Sequence, residues 1–136
     1  MERYDVLIIG AGPAGLTAGL YCGRARLKTV IVEQGVSGGE LVNTARIEDY
    51  PGFEAISGAE LAERLERQAR KFGVELTTDE VVEVASQGDW KRVVGEAASY
   101  TAGAVIVAAG FRLEVNVRVA ALLVADPKEF VTTARN

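Results

Sequence analysis

The 136-residue sequence has no histidine and a single cysteine, Cys22. Within these residues a Ser-His-Asp triad and a zinc site are therefore excluded, and so are an internal disulfide and a Cys-x-x-Cys redox pair. No run of about eighteen apolar residues occurs, so no membrane span is expected. The apolar stretch from Val6 to Tyr21 lacks a basic flank and is interrupted by Gly10, Gly12, Pro13 and Gly15, which suits folded structure rather than a secretory signal. A cytoplasmic location is the resulting expectation. A basic block is missing too: 15 Lys plus Arg against 19 Asp plus Glu leave a charge of −4 with the signs interspersed, which argues against nucleic acid as a partner.

What is present has the balance of a globular domain, 49% apolar and 25% charged. A chain of this size buries roughly two thirds of its unfolded surface around one core. The run from Asp5 to Gly10 is continuously apolar and ends in glycine, as a central parallel strand buried on both faces would be. Ala14 to Arg26 reads as a helix whose small residues Ala14, Ala18 and Gly19 allow close approach to a sheet, and Lys28 to Glu33 as a second buried strand. Together they make one βαβ unit. Residues 34–56 show no sustained periodicity and are expected to be a long functional loop. Ser57-Gly-Ala-Glu60 has capping-box spacing, so a helix should start there with the stripe Leu61, Leu65, Ala69 and Phe72 turned toward the sheet and Gly73 as its stop. The arginines on its other faces are read as solvated. Short strands are expected at 74–76, 81–84 and 90–94, and a central apolar one over Ala104 to Ala109. Leu113, Val115, Val117 and Val119 alternate with polar residues, the pattern of a half-exposed strand in a tail, 111–136, that follows a domain spanning 1–110. The fold class is α/β: a Rossmann-like FAD/NAD(P)-binding fold with a central parallel sheet, helices packed on it and a small antiparallel meander.

The chemistry concentrates in Gly10-Ala-Gly-Pro-Ala-Gly15. The first glycine permits a tight turn, the second lets backbone approach a pyrophosphate, and the third lets helix and strand pack closely. Backbone N–H groups at the helix start, those of Ala14 and Gly15 behind Pro13, would face the anion together with the positive end of the helix dipole. Such a loop is weak evidence alone. Here it follows a buried strand, opens a helix, and is followed eighteen residues later by Glu33 at the next strand's end, which makes a dinucleotide site. The Glu33 carboxylate would accept hydrogen bonds from ribose hydroxyls and repel a 2′-phosphate, so this loop disfavours NADP while FAD and NAD both stay open.

Tyr4 to Ala18, Gly38-Gly-Glu-Leu41, Ile47-Glu-Asp-Tyr-Pro-Gly-Phe53 and Ile56-Ser-Gly58, in this order, resemble low-molecular-weight bacterial thioredoxin reductases, the resemblance running on through Gln68 to Gly73 and Ile106 to Gly110. It covers the first segment of that family's FAD domain and implies FAD as cofactor. By the resemblance Gly39, Glu40, Leu41, Thr44 and Asp49 lie along the flavin and ribityl chain, Gln34 follows the ribose acid, backbone near Val82 receives adenine, and Ala109 and Gly110 close the site. Three positions depart from the family's pattern: Glu40 replaces a glutamine, Asp49 an asparagine and Ala109 a threonine. Two added acids beside a flavin would disfavour its anionic reduced form and lower its potential or its affinity. The family's NADPH domain, its Cys-x-x-Cys and its closing flavin segment have no counterpart in these residues, and Cys22 is read as structural. No side chain stands out as a catalytic acid, base or nucleophile.

Three functions compete on this basis. The first is the FAD-binding part of a thioredoxin-reductase-like oxidoreductase, with NAD(P)H or a partner chain supplying the nicotinamide site. The second is a non-catalytic nucleotide-binding module or truncated remnant, and the third an NAD-binding regulatory domain, which leaves the Gly38-Gly39 and Tyr50-Pro51-Gly52 motifs without a role. An unfinished sheet edge favours a partner or a homo-oligomer.

Overall fold

The structure is a computed structural model that describes residues 2–110 and the backbone of 116–118. Along the chain run β1 (Arg3–Ile9), α1 (Pro13–Arg24), β2 (Thr29–Glu33), a 3-10 turn (Gly39–Asn43), α2 (Gly58–Lys71), β3 (Glu75–Thr78), β4 (Val81–Gln87), β5 (Trp90–Gly95), β6 (Ser99–Val107) and β7 (Asn116–Arg118). The strands form one sheet in the order β3-β2-β1-β6-β5-β4-β7. Its first four are mutually parallel, with Ile8 opposite Ile31 on one side and Ile106 on the other. β5 then runs antiparallel to both β6 and β4, which is the meander.

The apolar runs of β1 and β2 are buried on both faces because each face carries its own core. Toward the helices, Val6, Ile8 and Ile31 pack with Leu16 of α1 and Ala69 of α2. On the opposite face Leu7, Ile9, Val30 and Val32 meet Val81, Val84 and Val93 of the meander. Leu7, Ile8, Leu16 and Ile31 are fully out of water, each contributing about 1.5–3 kcal/mol of burial. α1 seats directly on β2 because position 19 is glycine: a Cβ there would lie 2.8 Å from the Ile31 Cδ1. Cys22 is half-buried in the same core, and burial pushes its thiol pKa up.

Several expectations shift. α1 stops at Arg24, since Arg26 turns left-handed (φ 61°) and donates its N–H to the Gly23 carbonyl. Ala14 is exposed rather than packed on the sheet. Ser57 caps α2 by accepting the Glu60 N–H at 3.2 Å, but the Glu60 carboxylate turns to Arg64 at the next turn. α2 lies against α1 and the 3-10 turn, reaching the sheet core only through Leu65 and Ala69, while Phe72 is exposed under the Arg24 and Lys71 cations. β6 begins five residues earlier than its apolar run, because Ser99 to Ala102 are held as a strand by pairing with β5. Of the alternating pattern in the tail, Asn116–Arg118 form β7 alongside β4, and the remainder lies outside the described residues.

Candidate functional site

The site is built where β1 ends. Gly10 has φ +103°, and a Cβ on it would meet the Ala108 carbonyl carbon at 2.8 Å and the Ala109 Cα at 2.9 Å, so only glycine fits between the ends of β1 and β6. Gly15 is equally constrained: its Cβ would collide with the Gly10 carbonyl oxygen, which lets α1 begin directly over the turn. Gly12 differs from both. It has an ordinary φ of −74°, and nothing lies within 4 Å of where its Cβ would be. Its side faces open space.

Gly12 is also the N-cap of α1, with no side-chain cap, no acid in the first turn and Pro13 at the first helical position. The first intrahelical bond is Leu16 N–H to the Gly12 carbonyl, so helical geometry leaves the N–H groups of Ala14 and Gly15 without an intrahelical acceptor. Exposed helix-start donors, a positive dipole end and an open approach over Gly12 suit a phosphate-bearing ligand.

Glu33 is tied to this loop. One carboxylate oxygen accepts the Ala11 N–H at 2.7 Å and the other accepts the Gly35 N–H at 2.8 Å. The side chain is half-exposed, and each oxygen keeps a lone pair for a further donor. Gln34, the next residue, is exposed at the same edge. From the other side the 3-10 turn closes in: Gly38 N–H donates to the Ala11 carbonyl at 2.7 Å, and Gly39 sits with its α-carbon face toward Gly12. Gly38, the first residue of the Gly-Gly motif, is buried with φ +103° against Ala62, a backbone role that the motif alone does not specify. Glu40, Leu41 and Thr44 follow in this turn, which is stitched to the start of α2 by the Gly58 N–H on the Thr44 carbonyl.

The structure thus brings together Gly10, Gly12, Pro13, Ala14, Gly15, Glu33 and the Gly39 turn, with Ala109 beside Gly10 and Gly110 just beyond. Asp49 stands apart: it is exposed, and no hydrogen bond among the described residues joins it to the group. Val82 is connected indirectly. The Asp79 N–H donates to the Glu33 carbonyl, which brings the β3–β4 turn alongside β2. In β4 the register steps from Val81 opposite Gly95 to Glu83 opposite Val94, so Val82 is the extra residue of a bulge, exposed and unopposed by β5.

Sequence reasoning missed Asp79, a turn residue in appearance. It is 6% exposed, and its carboxylate accepts the N–H groups of Glu80, Ala97 and Ala98 and the Tyr100 hydroxyl at 2.8–3.1 Å. Burial pushes its pKa up, but these donors outweigh it and hold the carboxyl below its ordinary range. Gly95 leaves the room, since any Cβ there would run into the carboxylate. Asp79 acts through the backbone, fixing the meander and with it the position of Val82 relative to Glu33.

This geometry agrees with what the chain is similar to. The model of the pyridine nucleotide-disulphide oxidoreductases matches residues 4–112. The chain belongs to that family. Within this oxidoreductase family it is 47% identical over 107 residues to the thioredoxin reductase of Listeria monocytogenes and 48% to that of Bacillus subtilis, in each case covering 79% of this chain and 34% of the relative. The crystal structure of the Streptococcus pyogenes thioredoxin reductase superposes with a TM-score of 0.78 at 49% identity, over 79% of this chain and 35% of that one. A ferredoxin-flavin thioredoxin reductase from Clostridium acetobutylicum superposes at 0.70 with 31% identity, over 79% and 37% of the two chains. These residues are a thioredoxin-reductase-like oxidoreductase domain of Rossmann-like α/β fold, spanning about a third of the length of the relatives. Among the described residues no helix is long and apolar enough to cross a membrane.

Proposed function

We propose that this domain binds FAD, receiving the pyrophosphate over Gly12 and the free N–H groups of Ala14 and Gly15, the adenosine ribose on Glu33, and adenine beside the bulged backbone at Val82. The observation that carries this reading is Gly12: its geometry requires no glycine for folding, yet the space beyond it is kept clear at an uncapped helix start. Support for FAD comes also from the flavin in the name of the Clostridium relative. Glu40, Leu41, Thr44, Asp49, Ala109 and Gly110 belong to the flavin-proximal end in this reading.

Bound FAD would supply hydride and electron transfer, and the chain's own part is to bind and orient it. The Glu33 carboxylate, held by Ala11 and Gly35, is preset to accept ribose hydroxyls. A single cysteine cannot cycle between dithiol and disulfide by itself, so reduction of a disulfide with NADPH draws on groups outside these 136 residues. We place the protein in the cytoplasm, the reducing compartment in which thiol–disulfide reductases work.

The test is a titration of the purified protein with FAD, followed by flavin fluorescence, for wild type and Gly12→Ala. The expected outcome is loss of at least about tenfold in affinity, with unfolding free energy unchanged within about 0.5 kcal/mol, as suits a substitution into open space. A folded wild-type protein that takes up no FAD would return the domain to a nucleotide-binding module without the flavin.

A further inference from the structure

The sheet ends at β3, which among the described residues pairs only with β2, so the backbone groups on its outer side have no ladder partner there. A cavity of about 590 Å³ follows this edge: residues 73–77 line it in succession, with Val30, Tyr4 and Tyr100 of the meander-side core behind them. Glu75 lies opposite Val30 in the ladder and shares that face. Two carboxylates converge there on one hydroxyl. The Tyr4 hydroxyl is 2.8 Å from the Glu75 carboxylate and 3.0 Å from that of Glu2. Burial, with the two carboxylates, pushes the Tyr4 pKa up, so the hydroxyl keeps its proton, but one proton serves one carboxylate at a time. Lys28 brings an ammonium to Glu2 at 2.9 Å, with its nitrogen 4.9 Å from the centroid of the Tyr4 ring. Arg70, the cation in the lining, is taken by Glu66 at 2.7 Å. Glu75 is exposed and forms no ion pair among the described residues, which leaves one negative charge at the edge uncompensated.

We propose that the β3 edge is a docking site for a basic extended segment of a partner protein, which adds a strand to the sheet and sets a lysine or arginine beside Glu75 in the cavity. The open backbone groups specify a strand, and because side chains alternate, every second residue of the added strand faces the cavity. A cation in that position meets a carboxylate without an ion pair beside tyrosine rings, the same combination that Lys28 finds at Glu2 and Tyr4 from within the chain. Charge sets a second copy aside: two β3 edges laid together would bring Glu75 and its counterpart onto one ladder only four residues long, where like charges repel. An acidic segment meets the same repulsion. The proposal does not rest on FAD.

The experiment titrates the full chain, without FAD, into a fluorescein-labelled octapeptide of alternating arginine and valine, with anisotropy reporting binding and amide hydrogen exchange reporting its place. Wild type is expected to bind, with slowed exchange within residues 75–78 and an affinity that falls as salt rises. Glu75→Lys should weaken binding by at least about tenfold, and Glu75→Gln, which keeps an acceptor for the Tyr4 hydroxyl, by less. Circular dichroism checks that both variants are folded. Methylating every second backbone nitrogen of the peptide removes ladder donors and keeps the charge; of the two possible phases, one should lose at least about tenfold. A wild type that leaves the peptide unbound, binding indifferent to both Glu75 substitutions, or binding that survives methylation in both phases overturns the proposal. So does protection of residues 75–78 that grows with protein concentration in the absence of peptide, which would assign the edge to a second copy.

Discussion

The glycine loop and the meander solve the same problem, holding strand ends in register beside a binding surface, by opposite means. At the loop the chain removes side chains: Gly10 and Gly15 let backbone meet backbone, and contacts span a few residues or one neighbouring strand. In the meander a buried carboxylate does the work, with Asp79 gathering donors from positions up to 21 residues away. Apolar packing tolerates small adjustments, whereas a buried carboxylate with four donors tolerates none, because each donor left behind is buried without a partner. The first arrangement is local and written in residue type. The second exists only after the chain has folded.

The sharpest way to break this contrast is Asp79→Ala, which should destabilise the domain by about 3–5 kcal/mol in urea unfolding read by Trp90, the fluorophore of the meander itself. A cost below about 1 kcal/mol would show that the meander stands without its carboxylate. Glu33→Ala removes an acid from the loop region instead. It should weaken FAD binding by about 1.5–3 kcal/mol, the scale of charge-assisted hydrogen bonds, and Glu33→Gln by less, as measured by the same fluorescence titration.

Acid acts on the meander through its buried carboxylate. Because the folded pKa of Asp79 is lowered, its stabilisation is complete above the ordinary carboxyl value of 3.8 and is lost as pH falls below that value through the folded pKa. Stability should therefore fall with acid more steeply in wild type than in Asp79→Asn, which has no proton to gain at that site; parallel curves would remove Asp79 as the cause. The smallest effect is expected at the flavin end. Glu40→Gln/Asp49→Asn should raise the flavin potential by about 20 mV, the equivalent of about 1 kcal/mol in a two-electron couple, in a dye-coupled potentiometric titration. No change would mean that both acids, exposed in the free protein, stay in water when FAD is bound.

Much of the parallel half was legible in advance, because a strand buried on both faces must be apolar throughout and a turn with no room for a Cβ, as at Gly10, must be glycine. β1, β2, the glycine loop, Glu33 at its strand end and the Ser57 cap all follow from such local rules. β6 was half legible: Ala104 to Val107 announce a core strand, but Ser99 to Ala102 become one only through β5. Phe72 misled the helix reading because spacing reports which residues share a face, and α1 had already taken the place at its end of the stripe. The bulge at Val82 and the docking of Gly38 on Ala11 left no unambiguous trace, since each depends on a partner remote in sequence.

The sequence by itself determined the βαβ unit, the phosphate-loop chemistry, the family resemblance and the exclusion of an internal dithiol, all of which rest on residue identity and short spacing. Only the tertiary structure decided that Gly12 alone of the three loop glycines faces open space, that Asp79 is a buried anchor rather than a turn acid, and that α2 and the 50s loop enclose one groove. The physical reason is the same in each case: these properties belong to the space between elements, and that space is defined by packing, not by the order of residues along the chain.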